Sequence, residues 1–131
     1  MSFRRLRKKY KSSSLGPEEA GEFLRKILHC IEVEKVYRDE KISLESLSKK
    51  LKISPRNLSR VINERLQKNF YELINHYRVK EAQEMLTSPE KRHTSIIKIG
   101  YEVGFNSKSA FNRGFKKFVK IIPSQFRKKH R

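Results

Sequence analysis

Two stretches of this chain follow one plan, and that repeat constrains the fold more than any other feature. Leu47, Leu51-Lys52-Ile53-Ser54 and Leu58-Ser59-Arg60 form the first copy. Ile99, Val103-Gly104-Phe105-Asn106-Ser107 and Phe111-Asn112-Arg113 form the second, offset by 52 residues up to the turn and 53 after it. Each copy reads as a short helix, a tight turn, and a second helix with a polar residue and an arginine behind a hydrophobic anchor. That is the helix-turn-helix plan, whose second helix is offered to a DNA major groove. One match alone is weak, since helices flank tight turns in many bundles. A repeated match with a basic second copy is much stronger.

The rest of the chain reads as helix. Ser12-Ser13-Ser14-Leu15-Gly16 is a linker, and Pro17 suits a first helical position with Glu18 and Glu19 at the positive end of the dipole. Ala20, Phe23, Leu24, Ile27, Leu28 and Ile31 recur at helical spacing, which predicts a first helix over 17–37 with His29 and Cys30 in packing roles. Ser43 caps a helix carrying Leu44, Leu47 and Leu51; Ser54-Pro55 starts the next, with Leu58, Val61 and Ile62 inward. A longer helix over 70–86 is apolar around much of its girth and stops at Thr87-Ser88-Pro89. Ser95 opens a short helix closed by Gly104, Asn106-Ser107 cap another with Phe111, Phe115 and Phe118 inward, and a last helix starts at Pro123. No segment alternates with period two over strand length. The expected fold is all-α: two helix-turn-helix subdomains joined by a long linker helix, about seven helices, homeodomain-like. The expected divisions are a basic flexible tail and linker at 1–16, a first subdomain at 17–86 (helix-turn-helix about 44–65), and a second at 87–131 (helix-turn-helix about 95–118).

Charge narrows the function. The 131 residues carry 32 Lys or Arg against 14 Asp or Glu, a formal +18. Residues 1–11 hold six basic side chains and residues 103–131 hold nine, with no acid in either, so +15 of the +18 lies at the ends. The tail has charge without pattern, which predicts a sequence-independent contribution to binding. The C-terminal run is threaded with Phe105, Phe111, Phe115, Phe118 and Phe126, which implies a folded basic face. Such a balance points first to nucleic acid and second to an acidic membrane surface. The lone Cys30 forms no internal disulfide, and no run approaches the ~20 apolar residues of a membrane span.

Gly104-Phe105-Asn106-Ser107-Lys108-Ser109-Ala110-Phe111-Asn112-Arg113-Gly114-Phe115-Lys116-Lys117-Phe118 and Pro123-Ser124-Gln125-Phe126-Arg127 resemble the DNA-binding domain of AraC/XylS-type bacterial transcriptional regulators. Leu44-Glu45-Ser46-Leu47-Ser48, Ile53-Ser54, Leu58-Ser59-Arg60 and Tyr77-Arg78-Val79 extend the resemblance to about 42–129. The resemblance implies base-reading positions at Arg56, Ser59 and Arg60 on the first recognition helix, and at Lys108, Ser109, Asn112 and Arg113 on the second. These are the outward positions of each helix. Arg and Lys donate to guanine O6/N7, Asn pairs with adenine N6/N7, and Ser does either. Asn63, Ser107, Lys116 and Lys117 are the expected phosphate contacts. Where the family has glycine this chain has Lys52 and Lys120, and Ile122 stands where a small capping residue is usual, a loss of ~1 kcal/mol. The resemblance further implies RNA polymerase as a partner, a sensor or dimerisation domain outside this chain, and a cytoplasmic, nucleoid-associated location, with the cytoplasmic part of a longer membrane-bound regulator as a variant.

Other classes fit less well. His29, His76, His93 and His130 are scattered without metal-ligand spacing, and there is no Cys/His cluster, phosphate-cradling glycine loop or nucleophile elbow, so no catalytic residues, metal or cofactor are expected. No small-molecule ligand is evident. The alternative is a non-specific basic nucleic-acid binder, of RNA or architectural DNA. RNA modules present aromatics for stacking, whereas these phenylalanines fall on inner faces. A membrane-surface peptide fits residues 1–11 only. A structural interaction protein would need the helix 17–37 to be a partner seam. The reading adopted is sequence-specific binding of double-stranded DNA by a bacterial transcriptional regulator, with two recognition helices in successive major grooves.

Overall fold

A computed structural model describes residues 15–130; the basic segment 1–11 lies outside them. Among the described residues there are seven α-helices and no strand. In chain order they are α1 (Pro17–Leu28), α2 (Leu44–Leu51), α3 (Pro55–Leu66), α4 (Phe70–Thr87), α5 (Ile96–Glu102), α6 (Lys108–Val119) and α7 (Pro123–Lys129). None is long and apolar enough to cross a membrane.

The helices fall into two compact units. One comprises the described residues up to Glu34 with Ile42–Leu73, the other Lys35–Lys41 with the described residues from Ile74. The cut differs from the expected one at 86/87. Helix α4 is divided, giving Phe70 and Leu73 to the first core and Val79, Ala82 and Leu86 to the second. Its apolar residues encircle it, so each half has a core to join.

In the first unit α1 starts at Pro17 with Glu18 and Glu19 in its first turn, and buries Ala20 and Ile27. A π-turn, His29–Val33, buries Cys30 and Ile31. The expected helix over 17–37 breaks here: Lys35 is left-handed at φ 53°, and Val36–Arg38 form a single 3₁₀ turn. His29 does not pack; it is exposed, with Nδ1 3.6 Å from Glu34 Oε2. Helices α2 and α3 close the core with Leu47, Ile53, Leu58, Val61 and Ile62.

The second unit has an aromatic core. Phe105, Phe111, Phe115 and Phe126 form a chain of rings with successive centroids 5.2, 5.8 and 5.4 Å apart. Val79, Ala82, Leu86, Ile99 and Val103 surround them. Edge-to-face stacking adds to burial here. The strap 35–41 belongs to this unit. Tyr37 is buried and donates to Glu81 Oε1 at 2.9 Å, and the Arg38 guanidinium pairs with the same carboxylate. Burial raises the Glu81 pKa, but the hydrogen bonds from Arg38 and Tyr37 outweigh it and hold the carboxyl below its ordinary range.

Candidate nucleic-acid interface

Each repeat builds its second helix by the same local chemistry. In the first, Ser43 Oγ accepts from Ser46 N–H at 3.0 Å and Ser46 Oγ accepts from Ser43 N–H at 2.9 Å, a reciprocal cap that starts α2. Helix α2 ends at Lys52, left-handed at φ 57° and ψ 41°, the conformation expected of a glycine site occupied by lysine. Ile53 is buried, and Ser48 Oγ donates to its carbonyl. Ser54 Oγ then accepts from Asn57 N–H at 3.1 Å, with Pro55 at the first helical position, and α3 begins.

Leu58, Val61 and Ile62 pin α3 inward. Arg56 and Asn63 are exposed, and Ser59 and Arg60 are half-buried. With Glu64 these residues line one shallow surface depression. Arg60 Nε donates to Glu64 Oε2 at 3.0 Å, and Asn63 Nδ2 donates to Ser59 O at 3.0 Å. Sequence reasoning passed over Glu64. The signal was an acid four residues after an outward arginine.

In the second repeat Ser95 Oγ accepts from Lys98 N–H at 3.2 Å and starts α5. Gly100 lets Phe111 lie against the helix, since a Cβ there would sit 2.5 Å from the ring. Gly104 turns the chain at φ 116°; a Cβ would meet Tyr37 O at 2.3 Å and Arg78 Nε at 2.6 Å. Ser107 Oγ accepts from Ala110 N–H at 3.0 Å, so it caps α6 as well as standing where a phosphate contact was expected. Phe111, Gly114 and Phe115 face inward. Lys108, Ser109, Arg113, Lys116 and Lys117 are exposed and Asn112 is half-buried.

Three supporting residues carried no assigned role in the sequence reading. Arg78 donates from Nε to Tyr37 O at 2.7 Å and from Nη2 to Asp39 O at 3.0 Å, tying the strap against the Gly104 turn. Arg127 donates to the carbonyls of Leu86, Thr94 and Lys91 at 3.3, 2.8 and 3.1 Å, fixing α7 to the connection before α5. Glu81 anchors the strap. At Ile122 the side chain gives no cap; instead Gln125 Oε1 accepts from Ile122 N–H at 3.3 Å. No group of three or more His, Cys, Asp or Glu among the described residues is placed to hold a metal.

The sequence pattern of the helix-turn-helix domain family matches residues 47–129, which takes in both repeats. The chain belongs to the AraC-type helix-turn-helix family. It is similar to the C-terminal domain of AraT, a response regulator from Geobacillus stearothermophilus, at 30% identity and a TM-score of 0.72 over 88% of this chain and 87% of that one. The C-terminal domain of the two-component response regulator yesN from Fusobacterium nucleatum is 28% identical, with a TM-score of 0.67 over 83% and 98%. The Msm operon regulatory protein of Streptococcus mutans is 31% identical over 87 residues, 66% of this chain. The chain spans 30% of the length of the curated relatives it matches. As an AraC-type domain it is a DNA-binding module, not an enzyme.

Proposed function

We propose that this domain reads double-stranded DNA in a sequence-specific manner for a bacterial transcriptional regulator, with α3 and α6 in successive major grooves of one duplex. The observation that carries the reading is the pair of Ser-capped helices, each pinned inward by apolar anchors and each turning an arginine and hydroxyl or amide groups outward. On this reading Arg56, Ser59, Arg60, Lys108, Ser109, Asn112 and Arg113 contact base edges, and Asn63, Ser107, Lys116 and Lys117 contact phosphates. One helix alone reads too few base pairs to single out a genomic site, so both engage together. The relatives' descriptions as response regulators and an operon regulator support transcription control as the purpose. A sensor or dimerisation domain of the whole regulator, RNA polymerase as its partner and a cytoplasmic place of action belong to the same proposal.

Selection of bound sequences from a random duplex pool tests it. The expected result is an enriched site with two short conserved blocks about one helical turn apart, roughly 10 base pairs centre to centre. Inserting five base pairs between the blocks abolishes tight binding by turning one groove to the far side. No enrichment over the starting pool, or equal affinity for single-stranded RNA, favours the non-specific basic binder instead.

A further inference from the structure

The internal repeat equates each outward position of α3 with one of α6: Arg56 with Ser109, Ser59 with Asn112, Arg60 with Arg113, Asn63 with Lys116 and Glu64 with Lys117. At the last pair the two helices carry opposite charges. No acid lies anywhere in α6, whereas Glu64 stands on the outward face of α3 and bonds the arginine of that face. A carboxylate turned toward a polyanion weakens binding to every duplex, so its presence on this face calls for a function other than affinity.

We infer that Glu64 is a specificity-determining residue of the first reading helix: it orients the Arg60 guanidinium for one base edge and lowers affinity for every other sequence. The inference rests on the proposed reading of Arg60 as a base contact. A guanidinium has five N–H donors in a planar fork. Glu64 takes the Nε–H at 3.0 Å and leaves the two-nitrogen Nη edge, which is the edge that matches guanine O6 and N7. Arginine otherwise has many rotamers to lose on docking, and a side chain already held loses fewer. Neighbouring contacts hold the same face in order, since Asn63 is tied back to Ser59 O. Held in this way, Arg60 is less free to swing to a nearby phosphate and bind any sequence equally. Glu64 touches Arg60 rather than the DNA bases, so it is a positioning residue.

Binding of the full chain is measured on the selected site, on each single base-pair variant of it, and on a random-sequence duplex, over a range of salt. Variants are E64A, E64Q, E64K, R60A and the double variant R60A/E64A, each checked by thermal melting. Glu64→Ala removes both the acceptor and the charge. It is expected to reduce discrimination about three- to tenfold at one base pair, the pair whose readout Arg60→Ala erases. Glu64→Gln keeps an oxygen that accepts from Arg60 Nε and is expected to retain most discrimination while random-duplex affinity rises about two- to threefold. Glu64→Lys is expected to steepen the salt dependence by about one counterion and to lose discrimination as well. In R60A/E64A no discrimination is lost beyond that of R60A. The inference is overturned if E64A strengthens all duplexes alike and leaves discrimination intact, which makes the carboxylate only a charge. If Arg60→Ala itself leaves every preference unchanged, the base-reading assignment fails, and this inference with it.

Discussion

The two turns before α3 and α6 share a positive-φ residue and a serine cap but are built from different materials, the second being one residue longer. The first places Lys52 in the left-handed region at φ 57°, exposed, above an aliphatic core of leucine, valine and isoleucine. The second places Gly104 at φ 116°, buried, over a core of stacked phenylalanines. Both deliver a serine cap, Ser54 or Ser107, in the same relation to the helix that follows. The bend therefore needs a positive φ and a cap, and glycine is only one way to provide the first. At Gly104 there is a second demand, because the strap carbonyl of Tyr37 and the Arg78 side chain occupy the space a Cβ would take. Lysine at position 52 meets the conformational demand at a cost of about 1–2 kcal/mol. No side chain meets the steric one at position 104.

The largest expected effect follows from that contrast. Gly104→Ala should destabilise the second unit by about 3 kcal/mol or more, since the strap or the α5–α6 turn must give way. Urea unfolding followed by near-ultraviolet signals from Tyr37 and the phenylalanine cluster would report it. A loss below about 1 kcal/mol would mean that the strap does not constrain the turn, and the two turns would then be equivalent.

Next come the reading helices. Arg60→Ala and Arg113→Ala should each weaken binding to the best site by about 1–3 kcal/mol and relax preference at one or two base pairs. Lys116→Ala and Lys117→Ala should weaken all duplexes evenly and lower the salt slope by about one each. These assays sharpen the comparison between α3, with its acid, and α6, with none. If Lys117→Ala altered preference as strongly as Arg113→Ala, the division between base and phosphate contacts on α6 would be wrong.

Much of this architecture was legible in the sequence because it is local. Ser43, Ser54, Ser95 and Ser107 announce helix starts by the chemistry of their own hydroxyls, and each caps in the structure. The outward positions follow from period and from the anchors Leu58 and Phe111. Illegible were the features that depend on partners distant in sequence. Tyr37 meets Glu81 44 residues away, and Arg127 reaches carbonyls 33 to 41 residues upstream. The stripe of α1 lapses after Ile31, where Glu34, Lys35 and Arg38 take the next helical positions, but nothing local says that Val36 and Tyr37 turn away to join the other unit. Gly104 was recognised for its conformation, but the crowding that makes it irreplaceable comes from that same strap.

The strap gives the second unit an acid-sensitive contact at Glu81. Glu81 has its folded pKa below the ordinary carboxylate value, so its contribution is present at neutral pH and is lost as pH falls through the folded value. Glu81→Gln keeps an acceptor for Tyr37 but removes the charge that Arg38 and Lys35 face. It should destabilise the second unit by about 1–2 kcal/mol at pH 7 and flatten its loss of stability below the ordinary carboxylate range. Chemical unfolding at pH 7 and in the acid range would show the gap between wild type and variant closing. A gap that stays constant with pH would mean that the carboxylate acts by shape and not by charge.

The smallest effect is the most direct check on the two turns. Lys52→Gly removes the left-handed penalty but adds backbone freedom to the unfolded chain, which offsets part of the gain. The net expectation is a first unit more stable by about 0.5–1 kcal/mol. The same substitution takes away a cation two residues before the Ser54 cap of α3, so affinity for every duplex should fall slightly, with the preferred sequence unchanged. Stability and affinity then move in opposite directions from one change. On the proposed reading, lysine in this turn trades local backbone energy for charge beside α3, and the crowding at Gly104 leaves no room for that trade. If Lys52→Gly left both the unfolding midpoint and the affinity unmoved, the left-handed lysine would carry neither the strain nor the charge role assigned to it.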